Sequence, residues 1–145
     1  NMPKPENIPP FSICSELRPG KWINPAYKQS PTVYIAGPMR GRPQLNIPEF
    51  DYVAWLWRKA GWRVINPAEL DKQAGAEGAT NMDAIIRRDV AAILDELRPR
   101  TQDGLVMLDG WSNSEGACAE YNLARWRGLT RYYCPHRPRQ PREIK

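Results

Sequence analysis

Two loop strings and three carboxylate-bearing or aromatic positions carry the unusual chemistry of this chain. The first string, Tyr34-Ile35-Ala36-Gly37-Pro38-Met39-Arg40-Gly41, combines backbone freedom at Gly37 and Gly41 with the planar cation of Arg40. Such a loop can cradle a phosphate or carboxylate, because glycines let the backbone approach an anion and a guanidinium binds it through paired N–H groups. It can equally be a tight turn with a solvated arginine. It is not the phosphate loop of nucleotide triphosphatases, since the string G-x-x-x-x-G-K-[ST] is absent. The second string, Gly110-Trp111-Ser112-Asn113-Ser114-Glu115-Gly116-Ala117-Cys118-Ala119-Glu120, sets Ser114 at the start of a helix, where unpaired amides and the dipole favour an anion. Ser114 can also serve only as the helix cap. Glu120 follows nearly two turns later among Gly116, Ala117 and Ala119, small residues that leave space around its carboxyl. Asp89, in Arg87-Arg88-Asp89-Val90, is a third candidate, for which an ion pair with a neighbouring arginine is the plain alternative.

The elements that must position these groups follow from periodicity. Thr32 to Ala36 is a β-branched and aromatic run that predicts a buried strand ending at Gly37-Pro38. Asn46 is a candidate N-cap with Glu49 three residues on, and Phe50, Val53, Ala54, Trp57 and Ala60 follow at helical spacing up to Gly61. Trp62 to Ile65 predicts a second strand stopped by Asn66-Pro67, and the glycine-rich stretch through Gly78 predicts a mobile loop. Asn81 caps a second helix that ends before Pro99. Gly104 to Leu108 is a third strand, Ser114 to Arg127 a third helix stopped by Gly128, and Thr130 to Cys134 a fourth strand. The order β-α-β-α-β-α-β implies right-handed crossovers and a three-layer α/β/α sandwich around a mainly parallel, Rossmann-like (flavodoxin-like) sheet. Its ligand crevice is expected beyond the carboxyl ends of the strands.

Composition narrows the classes further. The 145 residues suit one domain, and their net charge of +5 lies in the tails. Residues 1–31 hold seven of the 15 prolines and residues 135–145 three more, whereas residues 32–134 carry 13 basic and 13 acidic groups. A Pro-rich arm, an α/β domain over 32–134 and a basic, Pro-rich tail are therefore expected, and a neutral domain counts against nucleic acid as the partner. No apolar run approaches the roughly 20 residues of a membrane helix. Three cysteines, Cys14, Cys118 and Cys134, are odd in number and widely spaced, and the Cys134/His136 pair lacks a second pair to complete a zinc site. A cytoplasmic protein with no metal or organic cofactor is expected.

Taken in order, Val33 to Gly41, Asn46 with Pro48 and Phe50, Gly61-Trp62-x-Val64-x-Asn66-Pro67-Ala68-Glu69, Arg88-Asp89 and Ser114-x-Gly116-Ala117-x-x-Glu120 resemble the nucleoside 2-deoxyribosyltransferase superfamily. The likeness covers residues 32–134 and is greatest to the branch common in bacteriophages and prophages. The resemblance implies a compact parallel α/β subunit, a homodimer, a nucleotide or nucleoside substrate, and cleavage or exchange of its N-glycosidic bond. It implies that Glu120 attacks the anomeric carbon, that Asp89 assists the base or orients the nucleophile, and that Tyr34 holds sugar and nucleophile. Gly37, Met39, Arg40 and Gly41, with Ser114 and Gly116, would then surround a 5′-phosphate. Ser114 stands where the transferases carry an acidic residue, which points toward the monophosphate hydrolases, and Arg98 to Gln102 lengthen the segment between Asp89 and Glu120. A catalytically silent nucleotide-binding or sensing module is the alternative function.

Overall fold

The computed structural model describes residues 31–134. The expected arm before Pro31 and the tail from residue 135 lie outside the described residues. Four strands, β1 (Thr32–Ala36), β2 (Arg63–Ile65), β3 (Gly104–Leu108) and β4 (Thr130–Cys134), form one sheet in the order β2-β1-β3-β4. Every pairing is parallel, with Tyr34 opposite Ile65 on one side and Leu105 on the other. The central strands β1 and β3 are buried along their whole length. That is why they read as unbroken apolar runs: each face of a parallel sheet is covered by helices.

Side-chain alternation divides the core into two layers. Val33, Ile35, Val106 and Leu108 pack against Phe50, Val53 and Trp57 of α1 (Ile47–Lys59). Trp57, Trp62 and Tyr132 close that layer with ring centroids 4.8 to 5.6 Å apart. Tyr34, Ala36, Leu105 and Met107 face the opposite way, toward Ile93 and Leu97 at the end of α3 (Met82–Glu96) and Ala124 of α4 (Glu115–Arg127). The expected single-domain α/β sandwich is thus the observed architecture.

One element departs from expectation. Residues 67–80 form a helix, α2 (Pro67–Thr80), and not a loop. Asn66 accepts the Ala68 N–H, Pro67 sits in the first turn and Glu69 follows, so the helix start is well made. The glycines act locally: Gly75, at φ 75°, kinks the helix without abolishing it. A second correction concerns Asn46. It adopts the left-handed region and makes no side-chain cap to α1; its amide instead donates to the Pro38 carbonyl at 2.9 Å, tying the helix start to the loop after β1.

Asp103 fixes the opposite end of the sheet. Its fully buried carboxylate accepts the Thr32 N–H at 2.8 Å, the Arg98 N–H at 2.9 Å and Arg98 Nε at 2.8 Å. Asp103, directly before β3, therefore ties the start of β1 to Arg98 and the segment that leads into β3. Gly104 beside it is sterically required, since a Cβ there would lie 1.9 Å from the Thr130 carbonyl oxygen. Among the described residues no helix is long and apolar enough to cross a membrane.

Candidate active site

Strand β1 connects to β2 on one side and its other neighbour is β3, so the chain leaves the sheet in opposite directions at the carboxyl ends of β1 and β3. That reversal opens a crevice in folds of this kind. A cleft of about 430 Å³ occupies it here, bounded by the loop after β1, the start of α4 and one face of α3. Tyr34, Gly37, Met39, Arg40, Asp89, Ser114, Gly116 and Glu120 all line it. Gly41 does not. Its φ of 77° and the open space around its Cβ position make it a turn residue outside the cleft.

The floor is set by Tyr34 and Glu120. Tyr34 points from the central strand toward α4, fully buried, and its hydroxyl donates to Glu120 Oε2 at 2.5 Å. A buried phenol needs an acceptor, and the helix supplies one. Gly116 and Ala117 lie one turn before Glu120 on the same face, and a Cβ added at Gly116 would meet nothing within 4 Å, so the carboxyl is approachable from the cleft. Ser114 does cap α4, accepting the Ala117 N–H at 3.2 Å. Helix geometry leaves the earlier first-turn N–H groups without intrahelical partners at the rim.

Asp89 enters from α3 and lies close enough to the Tyr34 hydroxyl to alter its ionisation. Burial pushes the Glu120 carboxyl up to about 8, the charge of Asp89 adds to the rise, and the Tyr34 hydrogen bond opposes it. Asp89 is raised mainly by burial and, less, by Asp71, against the lowering effects of Arg88 and Tyr34. The phenol of Tyr34 is held well above its ordinary value by burial and by both carboxylates, which keeps it protonated as a donor. Arg40 is exposed on the rim, where its guanidinium reaches Met82 Sδ at 3.6 Å; among the described residues it forms no ion pair. It is therefore free to meet an anion.

Several lining residues escaped sequence reasoning. Met82 and Ile86 share a face with Asp89 at i, i+4 and i+7 of α3, and both are exposed, at 37% and 52%. Their spacing to Asp89 was the available signal. Phe50 and Pro67 complete the apolar wall, and Asn113 and Glu115 add polar groups beside Ser114. Trp111 and Tyr121 stack on each other at 4.5 Å against the α3/α4 layer and stay out of the cleft. Among the described residues, no group of three or more His, Cys, Asp and Glu side chains is arranged to hold a metal ion.

Comparison with known proteins finds no match among curated proteins or solved structures. Residues 31–133 do match a family model described as Domain of unknown function (DUF4406). The match runs from β1 into β4 and takes in every residue of the cleft, and the chain belongs to this DUF4406 family.

Proposed function

We propose that the cleft breaks the N-glycosidic bond of a nucleoside 5′-monophosphate, by hydrolysis or by transfer of the sugar to another base, with Glu120 as the nucleophile. The observation that carries this reading is a glutamate on the floor of a 430 Å³ cleft, gripped by a buried tyrosine and faced by a second carboxylate. Loss of a base from a sugar passes through an oxocarbenium-like state, which a carboxylate beneath C1′ stabilises and can capture. The Glu120 oxygen forms a bond to C1′ as the C–N bond breaks, and the base leaves with the electron pair and takes a proton from Asp89. Water or a second base then attacks C1′ from the vacated face, releasing Glu120 with overall retention.

The rim fits the phosphate. Arg40 offers a guanidinium without a competing carboxylate, and the start of α4 offers amides and a positive dipole end across the cleft. Membership of DUF4406 and the ordered motifs of residues 32–134 support a nucleoside 2-deoxyribosyltransferase-like reading, and the likeness to the phage branch rests on those motifs alone. A homodimer belongs to the same reading, with light scattering expected to give the mass of two chains.

The test is incubation with a panel of ribo- and deoxyribonucleoside monophosphates, with released bases read by chromatography. Base release that falls at least about 1,000-fold in Glu120→Gln, with the fold intact, is the expected result for a lost nucleophile. Undiminished release in that variant rejects Glu120 as nucleophile. A monophosphate that binds but is never cleaved leaves a nucleotide-binding module in place of an enzyme.

A further inference from the structure

The two carboxylates of the cleft stand in unequal surroundings. Asp89 is held by Arg88 of its own helix, with Nε 2.9 Å and Nη2 2.8 Å from Oδ1. The same Nη2 reaches Asp71 Oδ1 of α2 at 2.7 Å, so the arginine is braced between two helices. Arg88 and Asp71 are each about a quarter exposed, and Asp89 only 15%, so solvent screens this cluster weakly. Among the described residues, Glu120 has no such cation. The groups that face it are the Tyr34 hydroxyl from β1 and Asp89 from α3, while Arg40 and Glu115 lie exposed on the rim. Asp89 is faced by Arg88, by Asp71 from α2 and by Tyr34.

We propose that Arg88, anchored by Asp71, is a positioning residue that holds Asp89 as the ionised member of a carboxyl pair joined through Tyr34, so that the pair's single proton rests on Glu120 in the free protein. Its consequence for catalysis rests on the glycosidic reading above; the placement of the proton does not.

One proton on two carboxyls is the stoichiometry that reaction needs. When substrate enters, the Tyr34 hydroxyl turns from Glu120 to Asp89, passes its proton there and takes the proton of Glu120, leaving a Glu120 carboxylate and an Asp89 carboxylic acid. Glu120 then forms its bond to C1′, the C–N electron pair goes to the base nitrogen, and that nitrogen accepts the proton from Asp89. In the second half water gives its oxygen to C1′ and its proton to Asp89 as Glu120 departs, and the relay through Tyr34 restores the starting state. Neither half requires a proton from bulk solvent. Arg88 makes the arrangement directional, because without its charge Asp89 would compete for the resting proton and Glu120 would stand ionised beside a cleft meant to receive a phosphate.

The experiment follows side-chain carboxyl carbons of Asp89 and Glu120 by NMR across pH in the full chain, with no substrate present. In the parent protein Asp89 is expected to ionise at lower pH than Glu120. Arg88→Met removes an opposite charge and should raise the Asp89 midpoint by roughly one to three pH units. Asp71→Asn removes a like charge while keeping an acceptor for Arg88, and should lower that midpoint. Opposite displacements from two variants of one ion-pair chain are not produced by general loosening of the fold. If Arg88→Met does not fold, Asp71→Asn alone decides. An Asp89 midpoint unmoved by the folded variants, or a Glu120 that ionises before Asp89 in the parent, overturns the proposal. Displacements as expected without cleavage of any monophosphate keep the proton placement and reject the glycosidic reading; cleavage with unmoved midpoints does the reverse.

Discussion

Glu120→Gln isolates what the fold loses by holding an ionisable carboxyl on the cleft floor. In the folded protein this group ionises near 8, against an ordinary glutamate near 4.5. Between those values the native state retains a proton that the unfolded chain has released. The stabilisation is therefore complete below about pH 4.5 and is lost as pH rises through about 8. At about 1.4 kcal/mol per pH unit, the interval sets a ceiling of about 5 kcal/mol. Glu120 is partly open to the cleft, where water screens its charge, so about 2–3 kcal/mol is the expected loss by pH 9. Glutamine keeps an oxygen for the Tyr34 hydroxyl and cannot ionise. Thermal unfolding followed by circular dichroism at pH 4, 7 and 9 should show the two proteins equal at pH 4. At pH 9 the variant should be ahead by about 10 °C, the size of shift such an energy gives a domain of this length. Parallel pH profiles would refute the reasoning, because they would mean that the carboxyl ionises as readily in the fold as in water.

Three further substitutions separate the roles of neighbouring residues. Tyr34→Phe removes the hydrogen bond that favours ionised Glu120. Carboxyl NMR should show the Glu120 midpoint moving further up, base release should fall, and stability at pH 5 should drop by about 1 kcal/mol. Gly116→Ala meets no atom within 4 Å, so helix propensity should raise stability by about 0.5 kcal/mol in denaturant titrations, while calorimetric affinity for a monophosphate falls as the methyl enters the cleft. Gly104→Ala forces its Cβ onto the Thr130 carbonyl and should cost about 3 kcal/mol or more, read as a lowered denaturant midpoint or as loss of soluble folded protein.

What could be read from the sequence was what depends on local pattern. β1 and β3 were legible because strands covered on both faces must be apolar throughout, and the starts of α3 and α4 because Asn81 and Ser114 are placed to accept the third N–H of the helix. α2 was not, because Gly75 and Gly78 look like punctuation, although Asn66-Pro67-x-Glu69 announced a helix start. Asn46 failed as a cap for the opposite reason: its amide was needed across the loop at Pro38, a partner eight residues away that no helix pattern reveals. In the cleft, Tyr34, Asp89 and Glu120 were identifiable only as a set, through motif resemblance, since 86 residues separate the phenol from its carboxyl partner. Met82 and Ile86 were missed because a helical apolar stripe ordinarily marks core, and here it faces the cleft. The Asp71–Arg88–Asp89 chain joins two helices and leaves no trace in the spacing of any one of them.

The fold and the site make the same demand of Glu120, and that coincidence yields a separate test. Tyr34 stands at the centre of a strand that is otherwise aliphatic apart from Thr32, and 0% of its surface is exposed. Its hydroxyl is a donor in a poorly solvated place, and leaving such a donor unpaired costs about 1–3 kcal/mol. Glu120 satisfies it at 2.5 Å. Glu120→Ala removes the acceptor along with the ionisable group, whereas Glu120→Gln removes only the latter. At pH 5, where the parent carboxyl is neutral, and with Asp89→Ala in both proteins to remove the other acceptor that faces the phenol, urea titration should show Glu120→Ala less stable than Glu120→Gln by about 1–3 kcal/mol. Equal stability would mean that water from the cleft replaces the lost oxygen. The floor would then be wet, and burial could no longer be the cause that holds Glu120 near 8. A dry floor would instead make the requirement to pair a core tyrosine the physical reason that an acid can be kept, fixed in direction and largely neutral, where a reacting sugar carbon would have to sit.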